Sequence, residues 1–395
     1  MLNFGAVYFN SEVYLDGILV GRHFGGSSSF SFDITRFVED GLEHHLTVRA
    51  SSDLRSTMQS AGKQSLLLNS HGCQYTRTTG IWQTVWLEAV APTGLQSVHV
   101  LTDIDQKQLV IHPRFYIENS GHMLRIALQE GRKAVGTVCV KAANSSVAVF
   151  SLKNVKLWSP ESPFLYDVVY QVLDRDGTVV DEVVSYVGMR KVHIEGNRIY
   201  LNNEPCYQRL VLDQGFYPDG IWTAPSDEAL KNDIELSLAA GFNGARLHQK
   251  ALKNAFIIGL INWDILPWGE APSWGMDANS VEVARNFLQE WSELVLRDRN
   301  HPSIFMWSIG NEVLEQWTDA KADTLSLEEA NLVLNFGHSA DMLAKDGEMS
   351  VNSLLTKKLA DMVRKLDANA PRDGRLQRAE PQQSLFVPCA RYNRF

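Results

Sequence analysis

The sequence has few cysteines and no arrangement of them. Cys73, Cys139, Cys206 and Cys389 are scattered through 395 residues. They form no Cys-x-x-Cys pair and no Cys/His spacing of a zinc site. That density excludes a disulfide scaffold. Long hydrophobic runs are also missing. The most apolar stretch, Ala255 to Leu266, contains Asn262 and Asp264 and falls short of the about 20 apolar residues of a membrane span. There is no run of basic residues. Lys plus Arg number 37 against 46 Asp plus Glu, a net charge of −9. A chain of that sign lacks the electrostatic footprint for nucleic acid or for an anionic membrane surface. No glycine-rich phosphate loop follows any strand pattern, which excludes a nucleotide-dependent enzyme on a doubly wound sheet. The N-terminus, Met-Leu-Asn-Phe-Gly-Ala-Val-Tyr, has no basic segment and reaches Glu12 early, unlike a secretory signal. It reads as the middle of a strand. Nothing in the sequence assigns a compartment or an oligomeric state.

What is present is the composition of a globular protein, 45% hydrophobic and 21% charged. The length predicts about two or three domains. The first half reads as β. Val13-Tyr14-Leu15, Asp16-Gly17 and Ile18-Leu19-Val20 predict a two-residue hairpin, because Asp-Gly supplies the positive φ that such turns need. Phe30 to Ile34 and His45 to Arg49 alternate apolar and polar. Ile81 to Leu87 reads as one strand. A second set of short strands runs from Val98 to about Val187, with turn signals such as Asp174-Arg175-Asp176-Gly177 between them. Two successive β-sandwiches fit this spacing. Near residue 225 the period changes. Pro225-Ser226 opens a helix that Gly241 ends, with Leu230, Ile234 and Leu238 on one face. A second helix is predicted over 281–297, with others near 326–345 and 350–366. Short apolar strands lie between: Val211 and its neighbours, 243–247, 265–268 and 304–309. Strand–helix alternation means a parallel sheet with crossover helices.

One segment carries the chemistry. Arg297-Asp298-Arg299-Asn300-His301-Pro302-Ser303-Ile304-Phe305-Met306-Trp307-Ser308-Ile309-Gly310-Asn311-Glu312 is an apolar strand ending in Asn-Glu. At the C-terminal rim of a (β/α) barrel a carboxyl is partly desolvated. Its pKa rises and it can serve as an acid at neutral pH. A lone Asn-Glu at a strand end is usually a solvated loop pair, so the whole segment is what matters.

That segment resembles a signature of glycoside hydrolase family 2, the β-galactosidase, β-glucuronidase and β-mannosidase group. The resemblance extends along most of the chain. Phe30 to Thr35 and Tyr75 to Glu88 resemble the end of the family's sugar-binding-type jelly roll. Tyr186 to Lys191 resembles the exit from its immunoglobulin-like domain. Leu212 to Asp219 resembles the loop after barrel strand one, Gly241 to Lys250 strand two, and Trp268-Gly269-Glu270 the end of strand three. The implied organisation is a partial jelly roll over 1–92, an immunoglobulin-like β-sandwich over 93–192 and an incomplete (β/α)8 TIM barrel over 193–395, with a divergent tail over 368–395.

The resemblance implies hydrolysis of O-glycosidic bonds at non-reducing β-linked sugars by retaining double displacement. Glu312 is then the general acid/base, and Asn311 contacts the sugar 2-hydroxyl. Arg246 and His248 line the pocket for the terminal sugar. Asp213, Trp268 and Trp307 are further substrate contacts, the indoles because aromatic faces stack on pyranose rings. Each also has a plainer reading. Trp307, Trp268 and Trp274 fit a core, His248 fits a satisfied structural histidine, and Asp213 or Glu270 can simply hold Arg246. The resemblance implies a carbohydrate substrate and chemistry that needs no cofactor; some relatives bind metal ions, but no matching ligand set can be placed in this sequence.

The pattern also breaks. A retaining glycosidase needs a second carboxylate about 5–5.5 Å from the acid. The stretch after residue 192 is shorter than the about 250 residues of a complete barrel. Strands one to four can be placed and strands five to eight cannot. After Pro371 the sequence turns polar and arginine-rich. Glu315, Glu328, Glu329, Glu348 and Glu380 follow the acid, but none ends an apolar strand, so no nucleophile is assigned. The expectation is a chain truncated at both ends with impaired catalysis. A non-catalytic carbohydrate-binding or interaction fragment is the competing expectation.

Overall fold

The computed structural model describes residues 1–196, 198–251, 265–278, 280–311, 351–369 and 386–387. The Asp-Gly hairpin forms as its residue types dictate. Asp16 and Gly17 take φ of 50° and 79°, and Asn10–Leu15 pairs antiparallel with Ile18–Phe24. Leu46–Ser51 flanks the other edge of Asn10–Leu15. In a second sheet Leu2–Phe4 lies between Phe30–Phe32 and Val85–Leu87. Leu2, Phe4, Val13 and Ile34 pack together from both sheets.

The expected strand over 81–87 is divided. Gly80–Ile81 and Val85–Leu87 are separate strands. Between them Trp82 leaves the ladder. Its ring meets Trp222 at 5.4 Å and its Nε1 donates to the Gly26 carbonyl at 2.6 Å. Burying an indole with a satisfied N–H outweighs two more ladder positions.

A second sandwich follows. One sheet orders Ala148–Ser151, Gln108–Phe115 and Leu95–Asp103. The other orders Lys133–Lys141, Met123–Glu130, Tyr166–Leu173 and Val179–Val187. Alternate residues Leu124, Ile126 and Leu128, with Val168, Tyr170 and Val172, face Leu109, Ile111 and Phe115. This is the period of two of a half-buried strand.

The last region is the predicted parallel sheet. Leu210–Asp213, Gly244–Leu247, Leu266–Glu270 and Met306–Ser308 run parallel in that order. Phe386–Val387 pairs antiparallel with the fourth strand. The tail thus supplies an antiparallel edge to the parallel sheet. Helix α1, Asp227–Ala239, is capped by Ser226, whose side chain accepts from the Ala229 N–H. Gly241 ends it at φ 87°, the left-handed conformation that closes a helix at little cost only in glycine. Helix α2, Val281–Asp298, is capped by Ser280. Helix α3, Val351–Leu366, packs on α2. The helix expected near 326–345 lies outside the described residues.

Strand alternation sorts the side chains. Ala245 and Leu247 pack on Leu230 and Ile234 of α1. Trp307 packs among Phe287, Trp291 and Leu294 of α2 and Leu359 and Val363 of α3. Arg246, Trp268 and Met306 are in register on the opposite face.

Helix α2 also meets the first sandwich. The Ser27 N–H donates to Glu290 Oε1 at 2.8 Å, and His23 Nε2 lies 3.2 Å from Glu293 Oε2. Burial pushes the Glu290 carboxyl up from 4.5 to about 7. Below pH 4.5 the group is protonated in both folded and unfolded chains and costs nothing. Between pH 4.5 and about 7 the unfolded chain ionises while the folded chain resists, so stability is lost, by on the order of 3 kcal/mol, and above that range the loss is constant. Glu290→Gln keeps the acceptor oxygen and removes this loss. In thermal melts the variant should gain on the native protein from pH 5 to about 7 and hold that gain above it; a constant difference across the rising range would contradict the assignment.

Candidate active site at the strand tips

At the C-terminal ends of the parallel strands the chain concentrates its buried polar groups. Arg246 Nε donates to Glu270 Oε2 at 2.6 Å, and its second amine donates to Asn311 Oδ1 at 2.8 Å. One guanidinium therefore ties strand two to strand three and to the loop after strand four. The rigid fork of five donors makes this span possible for arginine and not for lysine. Glu270 is 1% exposed. Burial pushes its carboxyl up, and the Arg246 charge pulls against that. The Gln249 N–H gives Glu270 Oε1 a further bond at 3.0 Å.

Gln249 does this from φ 58°, a left-handed conformation that costs a non-glycine residue about 1 kcal/mol. Its side chain offsets the strain. Gln249 Oε1 accepts from the Ser273 N–H at 2.8 Å and from the Trp274 N–H at 3.3 Å. Ser273 Oγ in turn accepts from the Asn311 N–H at 3.1 Å, and Trp274 Nε1 donates to the Asn311 carbonyl at 3.0 Å. Asn311 is thus held at both backbone and side chain.

His248 stands beside this network. Its Nε2 is 3.8 Å from Glu270 Oε1 and its ring sits edge-on to Trp274 at 6.4 Å. Burial, and then the positive charges of Arg246 and Lys63, push the imidazole down to about 4. It is neutral at pH 7 and has one N–H to give and one lone pair to accept with. Its Nδ1 is buried and bonds no described atom.

The sequence candidates separate into two groups. Arg246, His248 and Asn311 come together. Of the two acids offered as a partner for Arg246, Glu270 holds it. Asp213 does not: it pairs in register with Leu247, which faces α1, and its carboxylate accepts from the Gly215 N–H at 2.7 Å. Trp307 is a correction as well. It is 2% exposed among the helices, edge-on to Trp291 at 5.6 Å, and its Nε1 donates to Asp367 Oδ2 at 2.9 Å. It faces away from Arg246, into the helix layer. Trp268 lies one register step below Glu270, edge-on to Phe305 and clustered with Trp158, Val192 and Leu201. It supports the floor of the network. Glu312 lies outside the described residues.

Sequence reasoning missed four members. Gln249 and Ser273 give no motif signal, because their roles depend on backbone N–H groups brought together by folding. Lys250, buried and pushed down to about 7 by that burial, donates from Nζ to the carbonyls of Gly215 and Trp222, strapping the loop after strand one. Lys63 arrives from the first sandwich. Among the described residues no group of three or more His, Cys, Asp and Glu side chains is arranged to hold a metal ion.

If Arg246 is replaced by Met, Glu270 stays buried without its cation. Breaking such a pair costs about 3–5 kcal/mol. Urea unfolding should show a loss of that size for Arg246→Met, and partial recovery when Glu270→Gln is added. A loss near zero would mean that the pair does not organise the strand tips.

Comparison with known proteins bears on the family and the fold. A family model described as glycosyl hydrolases family 2 matches residues 115–190, and one described as glycosyl hydrolases family 2, TIM barrel domain, matches residues 254–365. Beta-galactosidase BoGH2A of Bacteroides ovatus is 35% identical over 94% of this chain and 44% of its own length. A putative beta-glucuronidase of Formosa agariphila is 30% identical over 79% of this chain and 30% of its own. The chain therefore spans less than half the length of either relative. Among solved structures, a β-glucuronidase from Ruminococcus gnavus in complex with D-glucuronic acid superposes with a TM-score of 0.73 over 93% of this chain and 58% of that one, at 20% identity. Apo Bacteroides uniformis beta-glucuronidase 3 superposes equally well, with a TM-score of 0.73 over 98% of this chain and 46% of that one. These likenesses show the fold. With the matched family models and the curated relatives, they establish that the chain belongs to glycosyl hydrolases family 2.

Proposed function

We propose that the strand-tip network is the glycone site of a β-glycosidase, acting on non-reducing β-linked sugars in the manner of a β-galactosidase. The observation that carries this reading is Arg246 bridging Glu270 and Asn311 at the ends of parallel strands, in a chain of this family. The name of the Bacteroides ovatus relative favours galactose over glucuronate. Glu312 is the general acid/base. It protonates the glycosidic oxygen as the bond to the anomeric carbon breaks, then deprotonates the water that releases the sugar. Asn311 and neutral His248 hydrogen-bond sugar hydroxyls. Asp213, Trp268 and Trp307 are left out of the contact set.

The proposed architecture is a partial jelly roll over 1–92, an immunoglobulin-like sandwich over 93–192 and an incomplete barrel over 193–395. No residue of this sequence is assigned as the attacking carboxylate. We therefore propose weak turnover from these 395 residues alone. That missing assignment is also what favours the second reading, a non-catalytic carbohydrate-binding fragment.

Two measurements separate them. D-galactose binding followed by ligand-observed NMR should be detectable and lost in Asn311→Ala. Hydrolysis of p-nitrophenyl β-D-galactoside should be slow and fall further in Glu312→Gln. Binding with no Glu312-dependent turnover would favour the non-catalytic reading. Absence of any sugar binding would contradict both.

A further inference from the structure

Lys63 is the least expected residue at the strand tips. It belongs to the loop of the first sandwich between Leu46–Ser51 and Gly80–Ile81, far from the barrel in sequence. Yet it is 5% exposed, and its Nζ sits 3.9 Å from the centroid of the Trp274 ring. The opposite functional group of Trp274, its Nε1, holds Asn311. Lys63 also contributes to lowering the His248 imidazole. One ammonium therefore borders Trp274 and His248 together.

The loop is built to hold that position. The Ala61 N–H donates to the Trp274 carbonyl at 2.6 Å, and the Asp277 N–H donates to the Thr57 carbonyl at 2.8 Å. The Tyr75 N–H donates to the Lys63 carbonyl at 2.8 Å, and Tyr8 donates from its hydroxyl to the Ser60 carbonyl at 2.5 Å. Gly62 has φ 58°, and a Cβ there would lie 2.5 Å from the Gln249 carbonyl oxygen. Only glycine allows the loop to come this close. The loop is thus bonded to Trp274 and Asp277 and packed against the Gln249 carbonyl.

Against that fixed backbone the ammonium is conspicuous for what it lacks. Among the described residues it makes no hydrogen bond and no ion pair. The other strand-tip cations are engaged: Arg246 with Glu270 and Asn311, Lys250 with two carbonyls. Among the described residues, Lys63 keeps its ammonium donors unengaged over the Trp274 ring.

We propose that Lys63 is a substrate-reading residue, whose ammonium donates a charge-assisted hydrogen bond to an acceptor oxygen on the bound terminal sugar. This rests on the strand tips being a sugar site. The first sandwich then completes the pocket that the parallel sheet begins. The acceptor is either a neutral hydroxyl, as in a galactoside, or the carboxylate of a uronic acid; both present an oxygen lone pair to the same donor.

The test is binding, because it needs no turnover. D-galactose and D-glucuronate are titrated into the whole chain, at low and high salt, for the native protein, Lys63→Met and Lys63→Arg. Methionine keeps the apolar stem over Trp274 and removes the charge; arginine keeps the charge. Expected is a loss of about 10- to 100-fold in affinity for the preferred sugar in Lys63→Met, with substantial retention in Lys63→Arg and unchanged melting temperatures. A preference for glucuronate that salt weakens identifies the carboxylate as the acceptor; a salt-independent preference for galactose identifies a hydroxyl. Native affinity retained in a folded Lys63→Met protein overturns the role of Lys63 and leaves the sugar site standing. Failure of the native protein to bind either sugar overturns the sugar site itself, and the proposal with it.

Discussion

The ion pair between Arg246 and Glu270 is the constraint on which the rest of the strand-tip structure depends. A carboxylate buried as completely as Glu270 is tolerated only with a matched cation and additional donors. Arg246 supplies the cation, and the Gln249 N–H supplies a donor. Satisfying Glu270 fixes the backbone at Gln249, whose side chain then fixes Ser273 and Trp274, which fix Asn311. Each step is an obligation to pair a buried polar group. The chain of obligations ends one residue before the candidate acid, Glu312. A proton donor needs that kind of preorganised surround if its position is to serve chemistry.

The fold positions this network through register. Arg246, Trp268 and Met306 share one face, while Leu247 and Trp307 turn to the helices. On that face Arg246 lies level with Trp268, and Glu270 follows one strand repeat further on. The first sandwich is not a passive attachment. Its loop from Thr57 to Lys63 is hydrogen-bonded to Trp274 and Asp277, its Trp82 packs on Trp222, and its Ser27 bonds Glu290 of α2. The strand-tip network and the junction with the first sandwich are built from the same contacts.

Much of this was legible in the sequence, because the strongest signals are local. Asp16-Gly17 dictates its turn, Ser226 and Gly241 delimit α1, and the apolar stripe of α2 follows the helical period. The segment ending in Asn311-Glu312 carries a family pattern longer than chance would supply. What was not legible is long-range. Trp307 looked like a sugar platform because aromatic residues near a strand tip serve both cores and ligands; only the parity of its position in the register sends it to the helices. Asp213 misleads for the same reason. Lys63 and Gln249 carry no motif at all. Their roles come from a loop crossing to a domain that follows it by more than a hundred residues, and from a strained backbone that no propensity favours.

The most direct test is a crystal structure of the chain soaked with D-galactose. Expected is the sugar at the ends of the parallel strands, hydrogen-bonded by Asn311 and His248, with the Glu312 carboxyl facing the oxygen on the anomeric carbon. A galactose bound elsewhere, or a Glu312 side chain turned into the helix layer beside Trp307, would contradict the assignment of this surface to sugar cleavage.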